Sequence, residues 1–376
     1  MNMQNRYGAL VTLYPFLNSG KDSDTKNMGD YVQTIAGMQY FPHIDEYVER
    51  DAISDFYPSE DNSIPVKVIM NAWWMWNYDK WPPAKIIDPL PISMHISPLH
   101  FEEMLSGDGL RWFKEHEPIG CRDDGTIQRL QSKNIHCYYS GCLTLTLGKT
   151  YKPIDSDARK GICFADPFFI TPKTKKQQIR TLLHFFRAPL TILKLSRKKF
   201  FSRSGYNNSF PFRKYRFIKT IMMASAFHRQ YSTFFSDSVL CASDYVTHIK
   251  IVHKNVDSNA SLIADADKMI KYYQTRKLVV TSRIHAALPC LAMETPVIYM
   301  ESNNVENETW NANRLDGLTN LFRCMQVTPV GLVSTDIELL NLHKIDKNTH
   351  LFENKKDWIP IATILEEKCN DFIQKG

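Results

Sequence analysis

The stretch VVTSRIHAALPCLAMETPVIYM, residues 279–300, constrains the fold more than any other. It reads as an apolar strand, a short helix and a second apolar strand. Neither apolar run approaches the ~18–20 residues that a membrane-spanning helix needs, so both belong to a buried parallel sheet. Ser282, Arg283 and His285 stand where the first strand gives way to the helix. Open α/β sheets bind ligands in the crevice outside the carboxyl ends of their strands, which is that position. Ser282 is suited to cap the helix, whose first N–H groups form an anion site. Arg283 offers a planar fork that matches phosphate or carboxylate. His285 is able to give or take a proton near neutral pH. Such a set suits a phosphorylated, carboxylated substrate; the plainer alternative is a surface arginine beside a locally packed histidine.

The rest of the chain repeats the alternation. GALVTLYPFL (8–17) reads as a first strand, followed by a polar loop and a helix from about Asp30. VKVIMNAWWMW (66–76) and LPISMHIS (90–97) read as strands, 101–116 and 126–134 as helices, 119–123 as a short strand end, and 136–147 closes the half. A second half begins at GICFADPFFI (161–170) and resumes with VTHIKIVHK (246–254), a helix, and the 279–300 unit. Short strands and helices in turn predict an α/β fold with a parallel sheet covered on both faces. The expected division is 1–160, then 161–354 with a helical insertion at about 171–236. A terminal helix in 355–376 is expected to pack back on the first half.

Three further groups are candidates. Asp30 after Gly29 sits at the mouth of the first strand, where it serves as a helix-terminal carboxylate or as a base towards a hydroxyl. Arg122 and Asp123 follow a short apolar strand; a surface ion pair is the plainer account of them. Asn71, Trp73, Trp74 and His95 are candidates for a sugar platform, although tryptophans are more often core. No glycine-rich phosphate loop of the GxGxxG or GxxxxGK[ST] kind occurs, which counts against nucleotide-driven chemistry. The eight cysteines form no CxxC pair, and no His/Cys/carboxylate cluster has metal spacing. Reduced core thiols are the expectation, with no metal and no cofactor. The first residues read as strand and loop rather than as a signal peptide, so a cytoplasmic setting is expected.

Three separated stretches, NMGDYVQTIAGMQYF, CRDDGTIQRLQSKNIHCYYSGCLTLTL and VVTSRIHAALPCLAMETPVIY, resemble the polysaccharide pyruvyl transferase family in the family's order. NAWWMWNYDKWPP and LPISMHIS are similar to stretches in a subset of it. The resemblance implies two Rossmann-like domains facing across a cleft, as in GT-B glycosyltransferases. It also implies transfer of pyruvate from phosphoenolpyruvate to two sugar hydroxyls as a ketal. Arg283 and His285 match the R-x-H motif, implied to hold phosphoenolpyruvate and supply its proton, with Ser282 beside them. Asp30 matches the N-terminal G-D acid and Arg122 the R-D arginine. One departure stands out. Relatives often carry a lysine soon after the strand that here is PVIYM, whereas this chain has ESNNVENETWNANR, which leaves Arg314 as the candidate cation.

The charge is uneven. Between Asp166 and Asp237 there are 15 Lys and Arg and no acidic residue, leaving 31 basic against 40 acidic residues elsewhere. In 171–220 the cations alternate with Phe, Leu and Ile, a pattern that suits an anionic membrane surface. Acceptors in such pathways are often polyprenyl-diphosphate-linked, which would place the protein at the inner face of the plasma membrane. A solvated helical insertion is the plainer account, and nothing else in the chain supports nucleic acid as partner. Two other functions keep the same fold: a GT-B glycosyltransferase using a nucleotide sugar, and a non-catalytic glycan-binding protein of capsule or exopolysaccharide synthesis.

Overall fold

The apolar runs become strands of parallel sheets, which bears out the mixed α/β class. A computed structural model describes residues 5–13, 22–59, 63–202, 216–301 and 315–374. In the first sheet β3 (Glu46–Glu49), β1 (Arg6–Val11), β4 (Val66–Ile69) and β6 (Ile87–Leu90) lie side by side, all parallel. Two of the expected long strands are broken in the middle. After 70–72 the chain resumes as β5 (Trp73–Trp74), and after 91–94 as β7 (His95–Ile96), which pairs with β5. The Gly120 N–H donates to Pro91 and the Met94 N–H to Gly120, joining this edge to β8 (Ile119–Cys121). β8 in turn pairs parallel with β9 (Cys137–Tyr139).

The second sheet runs β11 (Asp244–Val246), β10 (Ile162–Ala165), β13 (Leu278–Thr281), β14 (Val297–Glu301), β15 (Arg323–Thr328), β16 (Gly331–Val333). Only the last pair is antiparallel. The 279–300 unit thus forms as read, with β13 and β14 parallel and the helix Ile284–Ala292 wholly buried between them. The strand expected over 246–254 divides. Its start ends β11, and its remainder is β12 (Ile249–His253), antiparallel to β2 (Ser23–Asn27). β2 falls in the segment read as a polar loop, because SDTKN has no apolar alternation to mark it as a strand. Residues 14–17 of the first expected strand lie outside the described residues.

The pairing of β2 with β12 brings the helix Met28–Met38 onto the second half. One apolar cluster includes Val11, Tyr31 and Val32 from the first sheet and its helix, Ile270, Val279 and Ala287 from the second, and Leu365 from the terminal helix Trp358–Gln374. The 3-10 helix Leu143–Lys149 packs against the helix Ile284–Ala292. Gly148 makes that approach feasible, since a Cβ there would stand 2.3 Å from the Ala292 carbonyl oxygen. The terminal helix lies against the first half, where the Lys67 ammonium donates to the Phe372 carbonyl oxygen at 3.0 Å. All eight cysteines are free thiols, six of them buried.

Candidate active site

Polar residues at the carboxyl ends of both sheets converge through the start of the helix Met28–Met38. That helix begins at Asn27, whose side chain accepts the Gly29 N–H at 3.1 Å, while Asp30 lies in the first turn. Its first residue, Met28, donates its N–H to the His248 carbonyl oxygen at 2.7 Å. Gly29 faces His285: a Cβ at position 29 would meet His285 Nδ1 at 3.0 Å and His285 Cβ at 3.2 Å. The missing side chain therefore lets the imidazole rest beside the backbone that carries Asp30. His285 is itself buried at 3% exposure.

Arg283 is the N-cap residue of the helix Ile284–Ala292 and makes no side-chain cap. The expected Ser282 cap is corrected, because the Ser282 hydroxyl accepts the Phe168 N–H at 2.7 Å and holds the loop after β10. Arg283 Nε donates to Asp166 Oδ2 at 3.0 Å, and the same oxygen accepts the His248 N–H at 2.9 Å. Asp166 is buried and adopts φ +42°, a left-handed conformation that Asp tolerates better than most residues. The carboxylate fixes one edge of the Arg283 fork. Its Nη nitrogens make no hydrogen bond among the described residues, and the side chain is 38% exposed. His248 is buried, with Nε2 2.9 Å from the Tyr273 hydroxyl; burial holds its pKa down to about 4, so the ring is neutral. Asp166 and His248 were not singled out in the sequence, although Asp166 carries the usual signal of a polar residue directly after an apolar strand.

On the first sheet Arg122 follows β8. The surface ion pair allowed for Arg122 and Asp123 is corrected: both are fully buried. Asp123 caps the helix Asp124–Ser132 through the Thr126 N–H, and its other oxygen lies 2.7 Å from His95 Nδ1. Burial alone would raise the Asp123 carboxyl, but the His95 hydrogen bond and charge, the Arg122 charge and the Thr126 N–H together outweigh it and hold the group below the usual carboxylate range. Arg122 Nε stands 3.9 Å from Asp123, while Nη1 and Nη2 are buried without a hydrogen-bond partner among the described residues. Burial lowers its pKa, opposed in part by the fields of Asp123 and Asp30. A guanidinium placed this way is short of two acceptors, a need that an anionic ligand would meet.

Arg50, which had no sequence signal in YVERDAISD, completes the group. It is buried, grips Asp51 through Nε and Nη2 at 3.1 and 2.7 Å, and places Nη1 3.9 Å from Asp30. Burial would lower its pKa; Asp51 and Asp30 together outweigh this and raise it. A recess between Thr12, Asp30, Gln33, Arg50 and Asn71 opens beside it.

The four candidates for a sugar platform sit deeper than a platform would. Asn71 exchanges hydrogen bonds with Gln33, its side chain donating to the Gln33 carbonyl and its carbonyl accepting the Gln33 amide. His95 is fully buried on Asp123. Trp74 is fully buried against Trp81, and Trp73 is buried beneath Arg50. Stacking on a sugar requires an open ring face, which buried indoles lack. The neighbouring Trp76 is 55% exposed and lies 4.7 Å from Trp73 between ring centroids. Arg314 lies outside the described residues.

Among the described residues no group of three or more His, Cys, Asp or Glu side chains is placed to hold a metal ion. No described helix is long and apolar enough to cross a membrane.

Fold and site together define an α/β protein with cationic, proton-carrying groups gathered at the carboxyl ends of parallel strands. The family model for polysaccharide pyruvyl transferase matches residues 27–304, and the chain belongs to that family. Membership makes it a transferase of polysaccharide biosynthesis with a glycan as acceptor. No curated protein and no solved structure matches the chain significantly.

Proposed function

We propose that the protein transfers pyruvate from phosphoenolpyruvate onto two hydroxyls of a glycan, forming a ketal and releasing phosphate. The observation that carries this reading is His285 resting against the Gly29 backbone beside Asp30, with Arg122 within the field of Asp30 and Arg283 tied through Asp166 to His248, whose carbonyl holds Met28. Phosphoenolpyruvate has a carboxylate and a phosphate, and Arg283 and Arg122 supply two cationic forks for them. His285 gives a proton to C3, which leaves C2 electron-deficient. One sugar hydroxyl adds to C2 and loses its proton to Asp30. The bond from C2 to the phosphate oxygen breaks, and the second hydroxyl adds at C2 as its proton passes to the departing phosphate. The arginines act by stabilising charge as it forms and leaves. No step changes an oxidation state through an outside reagent.

Arg314 is the remaining candidate cation on the donor side, with Ser282 as backbone support. Trp76 joins Asn71, Trp73, Trp74 and His95 on the acceptor side as the solvent-exposed indole of that group. We take the halves 1–160 and 161–354 as the two Rossmann-like parts of a GT-B-like arrangement, the acceptor on the first and phosphoenolpyruvate on the second. The acceptor is taken to be lipid-linked through polyprenyl diphosphate.

Phosphate release from phosphoenolpyruvate, measured against a panel of simple and lipid-linked galactosides, glucosides and mannosides, tests the reading. An acceptor-dependent rate that His285→Ala lowers by roughly 10²–10⁴, the range of general acid catalysis, is expected. Full activity in His285→Ala would remove the assigned acid. Thermal stabilisation by phosphoenolpyruvate and not by UDP separates the reading from a nucleotide-sugar glycosyltransferase.

A further inference from the structure

We propose that the helix Lys175–Phe185 is an interfacial helix that lays its outer face on an anionic lipid bilayer. This deepens the reading of a lipid-linked acceptor, but rests on different observations. An amphipathic helix on a globular protein ordinarily turns its apolar stripe to the core. Here the stripe is turned outward. At about 100° per residue, Ile179, Leu182, Leu183 and the capping Phe186 fall within an arc of about 100°. All four are exposed, Leu183 at 60% and Phe186 at 70%.

The inward side of the same helix is largely polar and firmly held. The Thr181 carbonyl oxygen accepts the Ser225 hydroxyl at 2.7 Å, and His184 Nε2 lies 2.9 Å from His228 Nδ1. Both partners are on the helix Arg216–Tyr231, whose other face enters the apolar core through Met223, Phe227 and Tyr231. The outward stripe is therefore fixed by these contacts rather than left by a poorly docked segment. Leu190, at the start of the next helix Pro189–Ser196, extends it at 75% exposure. Phe217 and Ile218 are exposed at the start of the supporting helix.

The charges select the occupant. Lys175, Lys176, Arg180 and Arg187 are exposed around the stripe, and none is in an ion pair among the described residues. With no acidic residue anywhere between Asp166 and Asp237, a second copy seated here by two-fold symmetry would set cations against cations. A nucleic acid would satisfy the cations but leave the aliphatic stripe in water. An anionic bilayer satisfies both, taking the apolar side chains at the boundary of headgroups and acyl chains while phosphates meet the cations.

Co-sedimentation of the full chain with vesicles of equal phosphatidylglycerol and phosphatidylcholine, and with phosphatidylcholine alone, tests the proposal. Binding to the anionic vesicles only, weakened by salt, is expected. Neutralising the four cations to Gln should reduce partitioning by about fivefold for each. Leu183→Asp with Phe186→Asp should abolish it, and circular dichroism checks that both variants stay folded. Phosphate release with a soluble acceptor should be unchanged in both, so failure of membrane binding and failure of the catalytic reading are separately visible. Absence of binding to anionic vesicles at low salt would overturn the proposal. So would binding indifferent to both variants, or dimerisation in light scattering that the Asp variant dissolves.

Discussion

Arg122 shows how a single side chain can set stability against function. Its two terminal nitrogens are buried with no partner among the described residues, a state that costs free energy because the charge has lost water without gaining acceptors. Its nearest carboxylate, Asp123, does not depend on it, being held also by His95, the Thr126 N–H and the Thr126 hydroxyl. Replacing Arg122 with Met, similar in length and apolar, should leave Asp123 in place and remove the penalty. The expected outcome in urea denaturation is a gain of about 1–3 kcal/mol in stability. Stabilisation by phosphoenolpyruvate should disappear in the same variant. A loss of stability would mean that Arg122 serves the fold and not a ligand. At this scale the sequence displayed those groups that stand alone after an apolar run, Arg122, Arg283 and His285, while Asp30 showed itself as a helix-terminal carboxylate after Gly29. Arg50 stayed hidden because it acts through a fold-dependent neighbour, Asp30, from a segment of 3-10 helix with no period of its own. The burial of Trp74 was hidden for the opposite reason: a row of aromatics looks alike whether it is core or surface.

Elements were legible in proportion to how strongly apolar they are. β4, β13 and β14 are buried along nearly their whole length, and their runs are unmistakable. β2 is polar, takes its partner from residues far away in the chain, and was read as a loop. The basic helices were legible as helices, but which face they turn inward depended on the helix Arg216–Tyr231. That contact has a pH signature. Burial, aided by the fields of His228 and Arg229, holds the His184 pKa down to about 4, against an ordinary value near 6.5. A histidine with a depressed pKa in the docked state takes up its proton more readily once released. Its contribution to docking is therefore complete above about pH 6.5 and is lost as the pH falls towards 4. Hydrogen exchange of amides 175–185 should accelerate over that interval relative to the amides of Ile284–Ala292. His184→Gln, which cannot titrate, should flatten the difference. An unchanged pH dependence in that variant would assign the effect to another group.

At the scale of the whole molecule the question is whether the two sheets behave as separate bodies. A chain of 376 residues with two parallel sheets is expected to divide into two folding units. The contacts argue for strong coupling: β2 pairs with β12, one apolar cluster draws on both sheets, and the terminal helix that follows the second sheet packs on the first half. Tryptophan positions make this measurable. Five of the seven tryptophans, Trp73, Trp74, Trp76, Trp81 and Trp112, belong to the first half, so with Trp310 and Trp358 replaced by Phe the fluorescence reports that half, whereas far-ultraviolet circular dichroism reports helices throughout. If the shared core couples the halves, the two signals should follow one transition in urea, with a common midpoint. Phosphoenolpyruvate, proposed to contact Arg283 on one half and Arg122 on the other, should shift both midpoints together, because a ligand stabilises the unit that unfolds with its site. Independent halves would instead give a fluorescence transition separate from part of the dichroism change. A ligand held by the second half alone would then move only the latter. Separated transitions in both conditions would show that the shared apolar contacts are too weak to join the sheets, and that the residues around Gly29 meet across a boundary able to open.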